Sequence, residues 1–238
     1  MGKAGSTKRT KNAYDFTYTK PPNKPQSPKT LAKRANKASI RVLQKLLDKY
    51  LPPPPGAAEG QKDALYWNIY DGPTLEADET LKLQICDLFE ANMKELREAD
   101  DPDVEWNPAE KKKHLFNELS RLIVIQDAEN DVQAFSMFRF EVTNNYNRKP
   151  EFLMYIYEIQ VAIAHRETGI CRRTFAVLED MARKFKVQLV MLTCNAKALA
   201  IYDHFGYEEH IDTTDKVEVL WKAMEYEPIE LRTPRRLT

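Results

Sequence analysis

Between Leu31 and Tyr50 the apolar residues Leu31, Ala35, Ala38, Val42, Leu46 and Leu47 recur mostly three or four apart among lysines and arginines. That spacing predicts a basic amphipathic helix whose single apolar stripe docks on a core. The same period returns from Asp78 to Ala99, where Leu81, Ile85, Leu88, Phe89, Met93 and Leu96 share a face, and again over residues 169–185. A more polar helix is expected from Ala109 to Leu119, after a loop that carries Trp106, and a short one from Ala196 to Phe205, stopped at Gly206. Short runs rich in β-branched and aromatic residues, at Leu65–Tyr70, 121–126, 132–143, 152–163, Val187–Cys194 and Val217–Met224, read as strands. Asp71-Gly72-Pro73, Glu129-Asn130-Asp131 and Asn144-Asn145-Tyr146-Asn147 supply turns. This order predicts an α/β fold, a twisted mixed β-sheet flanked by helices on both faces.

The first 30 residues break the pattern. They are rich in Lys, Pro, Ser and Thr, with Pro21, Pro22, Pro25 and Pro28 opposing helix and sheet, and carry too little apolar surface to offset chain entropy. The chain therefore divides into a disordered basic arm (1–30), a basic helix with a Pro-rich linker (31–62, Pro52–Pro55 being a stiff spacer) and a folded domain (63–238). A formal net charge of zero hides an asymmetry: residues 1–49 carry thirteen Lys or Arg against Asp15 and Asp48, so the remainder is correspondingly acidic. A basic arm suits nucleic acid, the ribosome or an anionic membrane surface, and an acidic body suits a cationic substrate; a solvated tail beside an ordinary acidic domain has the same composition. Met1-Gly2-Lys3-Ala4-Gly5-Ser6 fits the N-myristoylation pattern, and the arm would add the second signal that one acyl chain needs to hold a membrane. No apolar run approaches the ~20 residues needed to span a bilayer, and the N-terminus lacks the apolar stretch of a secretory signal, which points to an intracellular protein. Cys86, Cys171 and Cys194 show neither CxxC spacing nor a neighbouring His cluster, so neither disulfides nor a metal are expected.

Most of the candidate chemistry lies between Tyr155 and Arg173. A strand there runs through a turn containing Gly169 into a helix, and the N–H groups of a helix's first turn, together with its dipole, form an anion site. Gly169 permits a tight turn, and a small residue at Cys171 would let backbone approach a phosphate. Arg172 and Arg173 either pair with that anion or are solvated. Glu158 is an acid in an otherwise apolar strand, and regular alternation puts it on the face opposite Tyr155 and Tyr157. Buried beside aromatics it would serve as a proton acceptor; exposed, it is a solvent-facing strand residue.

The spacing Arg166-x-x-Gly169-x-Cys171, five residues after Val161, resembles the acyl-CoA pyrophosphate loop of the GNAT acetyltransferases, where the last position is Gly or Ala. The run Tyr155-x-Tyr157-Glu158-Ile159-x-Val161, followed by Ala164-His165-Arg166, is similar to the NatD-type N-α-acetyltransferases, the GNAT subfamily that acetylates the N-termini of histones 4 and 2A. Asn92-Met93, Glu105-Trp106, Phe138-Arg139-Phe140-Glu141, Met191-Leu192-Thr193 and Asn195-x-x-Ala198-x-x-x-Tyr202-x-x-x-Gly206-Tyr207 extend the resemblance over residues 65–225. It implies a GNAT fold, acetyl-CoA as co-substrate and no metal. By resemblance Gln160, Val161, Ala162, Arg166, Thr168, Gly169, Ile170, Cys171, Arg172, Arg173 and Asn195 hold the cofactor. Glu158 becomes the general base and Tyr202 the proton donor to the departing thiolate. Trp106, Glu141, Tyr155, Tyr157 and Thr193 line the peptide path, as does Arg97, which stands where NatD enzymes offer a tyrosine. The implied partners are histone tails beginning Ser-Gly-Arg-Gly, met by a monomer of the cytoplasm and nucleus. Cys171, Arg97, Val217 in place of a tyrosine, and a shortened segment between Thr193 and Asn195 keep a second reading open: a diverged acyl-CoA-binding module with weak or no catalysis, tethered to nucleic acid or the ribosome by residues 1–50.

Overall fold

The computed structural model describes residues 26–50, 64–100, 106–145, 147–194, 198–210 and 218–224; the expectations for 1–25, for most of the linker, and for Glu105, Asn195 and Val217 lie outside the described residues. Its elements are α1 (Pro28–Asn36), α2 (Ile40–Leu47), β1 (Tyr66–Asp71), α3 (Gly72–Ala77), α4 (Glu79–Asp100), α5 (Pro108–Leu115), β2 (Arg121–Gln126), β3 (Val132–Asn144), β4 (Pro150–Val161), α6 (Ile170–Phe185), β5 (Leu189–Cys194), α7 (Leu199–His204), β6 (Glu208–Glu209) and β7 (Glu218–Ala223). Among the described residues seven strands form one sheet in the order β1-β2-β3-β4-β5-β7-β6. All neighbours are antiparallel except β4 and β5, which run parallel. On one face Trp67, Ile69, Ile123, Ile125, Phe138, Phe140 and Met154 pack with residues of α1, α2 and α6. On the other, Leu122, Val124, Phe135 and Met137 pack with Leu75, Leu81, Ile85, Phe89 and Leu115 of α3, α4 and α5. Because β2 is covered on both sides, it reads in the sequence as a continuous apolar run instead of an alternation.

The helix expected over 31–50 is two helices, and it starts earlier. Ser27 caps α1 by accepting from Thr30 N (3.3 Å), and Pro28 takes the first helical position, where its missing N–H costs nothing. A proline that reads as a helix breaker thus opens one, and residues 28–30 belong to the fold. The break at Lys37–Ser39 turns α2 toward the edge strand β1. There Gln44 donates to Trp67 O (3.1 Å) and accepts from Ile69 N (2.9 Å). Asn36 donates to Phe140 O (2.9 Å) and its own carbonyl accepts from Arg121 (3.0 Å). Leu43, Leu46 and Leu47 are buried in the same core as the sheet. α1 and α2 thus pack on the sheet, as the single apolar stripe predicts.

Other differences are local. The turn expected at 71–73 is the start of α3, whose cap Asp71 accepts from Thr74 N (2.9 Å). Gly72 is required by space, since a Cβ there would lie 2.1 Å from Asn117 O. The helix expected to reach Leu119 stops at Leu115, and the strand expected over 152–163 spans Pro150–Val161 before a 3-10 turn at Ile163–His165. The two-residue β6 is too short to carry a period.

Candidate active site

Two features of β4 build the site. The first is its pairing with β3: Met137 faces Glu158 but Phe138 faces Ile156, so Tyr157 is the extra residue of a β-bulge. Before the bulge the even-numbered Phe152, Met154 and Ile156 enter the core shared with α6; after it the odd-numbered Ile159 and Val161 do. Tyr157 and Glu158 consequently point to the same side, and both touch α5, Tyr157 through His114 and Glu158 through Lys111. The expectation that Glu158 faces away from Tyr155 and Tyr157 is thus reversed, because one inserted residue inverts the side-chain alternation. The second feature is that β4 and β5 pair only from Leu153↔Leu189 to Ile156↔Leu192, although both strands continue. Past the bulge they no longer pair, and a slot opens between them.

Glu158 is only 8% exposed and forms an ion pair with Lys111 Nζ, whose side chain is 16% exposed. Burial of a lone carboxylate would be costly, and the ammonium offsets it. Gln160 donates to the other carboxylate oxygen (2.8 Å), while its own carbonyl accepts from Asn92 (3.1 Å). Asn92 also donates to Val161 O (3.2 Å) and accepts from Arg166 (2.9 Å), whose Nε donates to Val161 O (3.3 Å). An unbroken hydrogen-bond chain therefore links the turn before α6 to the Glu158 carboxylate. Lys111 Nζ lies 4.5 Å over the Phe89 ring, and Phe89 stacks on Trp106 at 5.5 Å. Trp106 keeps its indole N–H buried and without a partner.

Beside this pair the aromatic residues form a second group. Tyr157 donates to Glu141 (2.8 Å), its ring lies 4.5 Å from that of Tyr155, and Tyr155 hydrogen-bonds the Thr193 hydroxyl. Arg139 sits 4.8 Å over the Tyr157 ring and His114 meets it edge-on at 4.7 Å. Burial, then the charges of Lys111, Arg139 and Arg97, lower the His114 pKa to about 4, so its imidazole is neutral at physiological pH. The structure thus joins Glu141, Tyr155, Tyr157 and Thr193, sets Trp106 against Phe89, and leaves Arg97 exposed near the end of α4.

Across the slot α6 begins behind Gly169, whose φ of 83° lies in the left-handed region. An added Cβ would meet nothing within 4 Å, so conformation and not space requires glycine. Arg173 N donates to Gly169 O (3.0 Å), and helix geometry leaves the N–H groups of Ile170, Cys171 and Arg172 without intrahelical acceptors. Thr168 closes the preceding turn by donating to His165 O (2.7 Å), and Ala162 N donates to Gln133 O (2.8 Å). Cys171 packs on the core, where burial pushes its thiol up to about 11; a side chain directed inward leaves the backbone N–H uncovered. Arg172 contacts His204 (2.9 Å) and Arg173 lies 5.5 Å over Trp67. Tyr202 packs on Phe175, and burial raises its phenol pKa well above the ordinary value, with further upward pushes from Cys171, Cys194 and Glu158. The uncovered N–H groups at the start of α6 make a cradle for an anion such as a phosphate.

Sequence reasoning missed Lys111 and His114, and quoted Arg139 within a motif without giving it a role. Lys111-Lys112-Lys113-His114 reads as a solvated basic run, but Lys111 and Leu115 are four apart on one helix face, and the burial of Leu115 turns Lys111 inward.

Residues 84–207, more than half of the 238-residue chain, match the model of the Acetyltransferase (GNAT) family. Among solved structures, Tetrahymena GCN5 superposes with a TM-score of 0.51 at 13% identity, covering 67% of this chain and 96% of that one. A GNAT-family protein from Desulfovibrio desulfuricans gives 0.49 at 13% identity over 68% of this chain and 100% of that one. A GNAT-family acetyltransferase from Listeria monocytogenes gives 0.47 at 12% over 66% and 94%. At 13% identity the superposition on Tetrahymena GCN5 speaks for the fold alone. With the matched family segment running from α4 through the α6 turn to Tyr207, the chain belongs to the GNAT family of acetyltransferases.

Proposed function

We propose that this GNAT protein acetylates the N-terminal α-amine of a peptide, with histone 4 and histone 2A tails beginning Ser-Gly-Arg-Gly as its substrates. The observation that carries the reading is the Glu158–Lys111 pair: a buried carboxylate already holding an amine at the point where β4 leaves β5. Acetyl-CoA would supply the acyl thioester, its phosphates held by the N–H groups of Ile170, Cys171 and Arg172 and its arm along Gln160, Val161 and Ala162. Glu158 takes the proton of the incoming ammonium, and Gln160 and Asn92 fix the carboxylate's orientation. Tyr202, protonated because it is buried, is suited to give a proton to the thiolate. Tyr155, Tyr157, Glu141 and Thr193 form a polar aromatic wall for the peptide backbone, with Glu141 a second negative charge for a cationic residue. Lys29, Lys33, Arg34, Arg41 and Lys45 are exposed on α1 and α2, and Lys37 is exposed between them, which supports an association with nucleic acid or the ribosome and residence in cytoplasm and nucleus.

The same ion pair favours one alternative, a binding module in which Lys111 keeps Glu158 permanently closed. Acetyl transfer to a panel of N-terminal peptides, with a thermal-shift titration by acetyl-CoA, separates the two. Ligand at 100 times its Kd stabilises by ~2.7 kcal/mol. A shift with no turnover on any peptide would overturn the reading as a peptide α-amine acetyltransferase.

A further inference from the structure

We propose that Lys111 is an acetyl acceptor in its own right, so that with acetyl-CoA bound the chain acetylates Lys111 Nζ in cis. The inference rests on the reading of Glu158 as proton acceptor. Any amine that this carboxylate activates must bring its nitrogen to hydrogen-bond distance, and Lys111 Nζ is already there. Lys111 differs from its neighbours in this respect: Lys113, two residues on, is exposed, whereas the Lys111 side chain crosses the Phe89 ring and ends on Glu158 beside the bulge. The site is therefore loaded with a primary amine, the functional group that the enzyme modifies.

The step balances without another reactant. Glu158 takes one proton from the Lys111 ammonium, and the freed lone pair attacks the thioester carbonyl carbon. The C–S bond breaks as the N–C bond forms. The amine loses a second proton as it becomes an amide, the thiolate gains one, and one proton passes to solvent. The product is a neutral amide, so Glu158 loses its internal counter-ion and is left facing the slot for an incoming amine.

The full chain, expressed so that it starts unacetylated, is incubated with acetyl-CoA alone, and site occupancy is followed by peptide mass spectrometry at several protein concentrations. Lys111 should be acetylated in a first-order process independent of protein concentration, ~100-fold faster than Lys113, and Glu158→Gln should slow it ~100-fold, the scale of losing a general base. After CoA is removed, the acetylated protein should melt below the unmodified protein, and Lys111→Arg should show no such shift on the same treatment. Acetylation of Lys111 no faster than of Lys113, or equally fast in Glu158→Gln, overturns the proposal. The peptide panel run in parallel distinguishes the two readings. Peptide turnover with an unmodified Lys111 sinks this inference alone, acetyl-Lys111 without peptide turnover sinks the α-amine assignment alone, and neither product sinks both.

Discussion

Replacing Glu158 by Gln keeps the size but removes the charge opposite Lys111 and turns one of the two oxygens that accept from Lys111 and Gln160 into an NH2 that cannot accept. Removing one partner of a fully buried pair costs ~3–5 kcal/mol, whereas exposed pairs are worth ~0–1 kcal/mol. Lys111 keeps 16% of its side chain exposed and can extend toward water, while Glu158 keeps 8%. We therefore expect a loss of ~2 kcal/mol, between those limits. At roughly 2–4 °C per kcal/mol for a domain of this size, the Tm should fall by ~4–8 °C. Turnover on a Ser-Gly-Arg-Gly peptide should fall ~100-fold or more. A second substitution separates stability from chemistry. Glu158→Gln with Lys111→Met buries no unpaired charge, so it should recover most of the lost Tm while staying as inactive as Glu158→Gln alone. Thermal denaturation by circular dichroism and initial rates at saturating peptide are the measurements. Parent-like turnover in Glu158→Gln would remove Glu158 from the mechanism, and a double variant no more stable than the single one would show that the ion pair carries no stability.

Gly169→Val places a β-branched residue at φ 83°, and the resulting re-aiming of the α6 N–H groups should weaken acetyl-CoA binding at least ~10-fold by calorimetry with the fold retained; unchanged affinity would refute the phosphate-turn assignment. Asn92→Ala cuts the chain from Arg166 to Glu158. Initial-rate kinetics should show kcat down ~10-fold, about the worth of one hydrogen bond to a charged group; parent-like kinetics would mean that the chain has no role. Since the His114 pKa is lowered from 6.5 to about 4 in the fold, the unfolded chain takes up this proton first as pH falls. Its contribution to stability is therefore complete above pH 6.5 and is lost as pH falls toward 4, and His114→Phe should flatten urea-derived stability across that window. Deleting residues 1–25 should leave the Tm nearly unchanged, whereas deleting 1–50 removes Leu43, Leu46 and Leu47 from the core. At ~1.5–3 kcal/mol each, against a typical total of ~5–15 kcal/mol, the longer deletion should yield no cooperative melt, and a folded, fully active 51–238 fragment would refute the docking described.

Most helix and strand segments, and the glycine turn that opens α6, were legible in the sequence. The period of Leu81 to Leu96 needs only neighbours three and four apart on one helix, and the β-branched runs at 121–126 and 132–143 need only their own composition. Gly169 is legible for the same reason, because a positive φ is a property of one residue. Features that depend on a second, distant segment were not legible. Pro28 and the break after Asn36 take their meaning from Phe140 and Trp67, which α1 and α2 reach. Whether Glu158 faces Tyr157 or turns away is decided by one extra residue in its register with Met137, and no local pattern records that count. Lys111 belongs to a run that looks solvated, and only the packing of Leu115 and Phe89 brings its ammonium onto a buried carboxylate 47 residues away. Tertiary structure decided these points because strand register and burial are set by contacts between segments far apart in the chain, whereas helix period, strand composition and turn chemistry are set within a few residues.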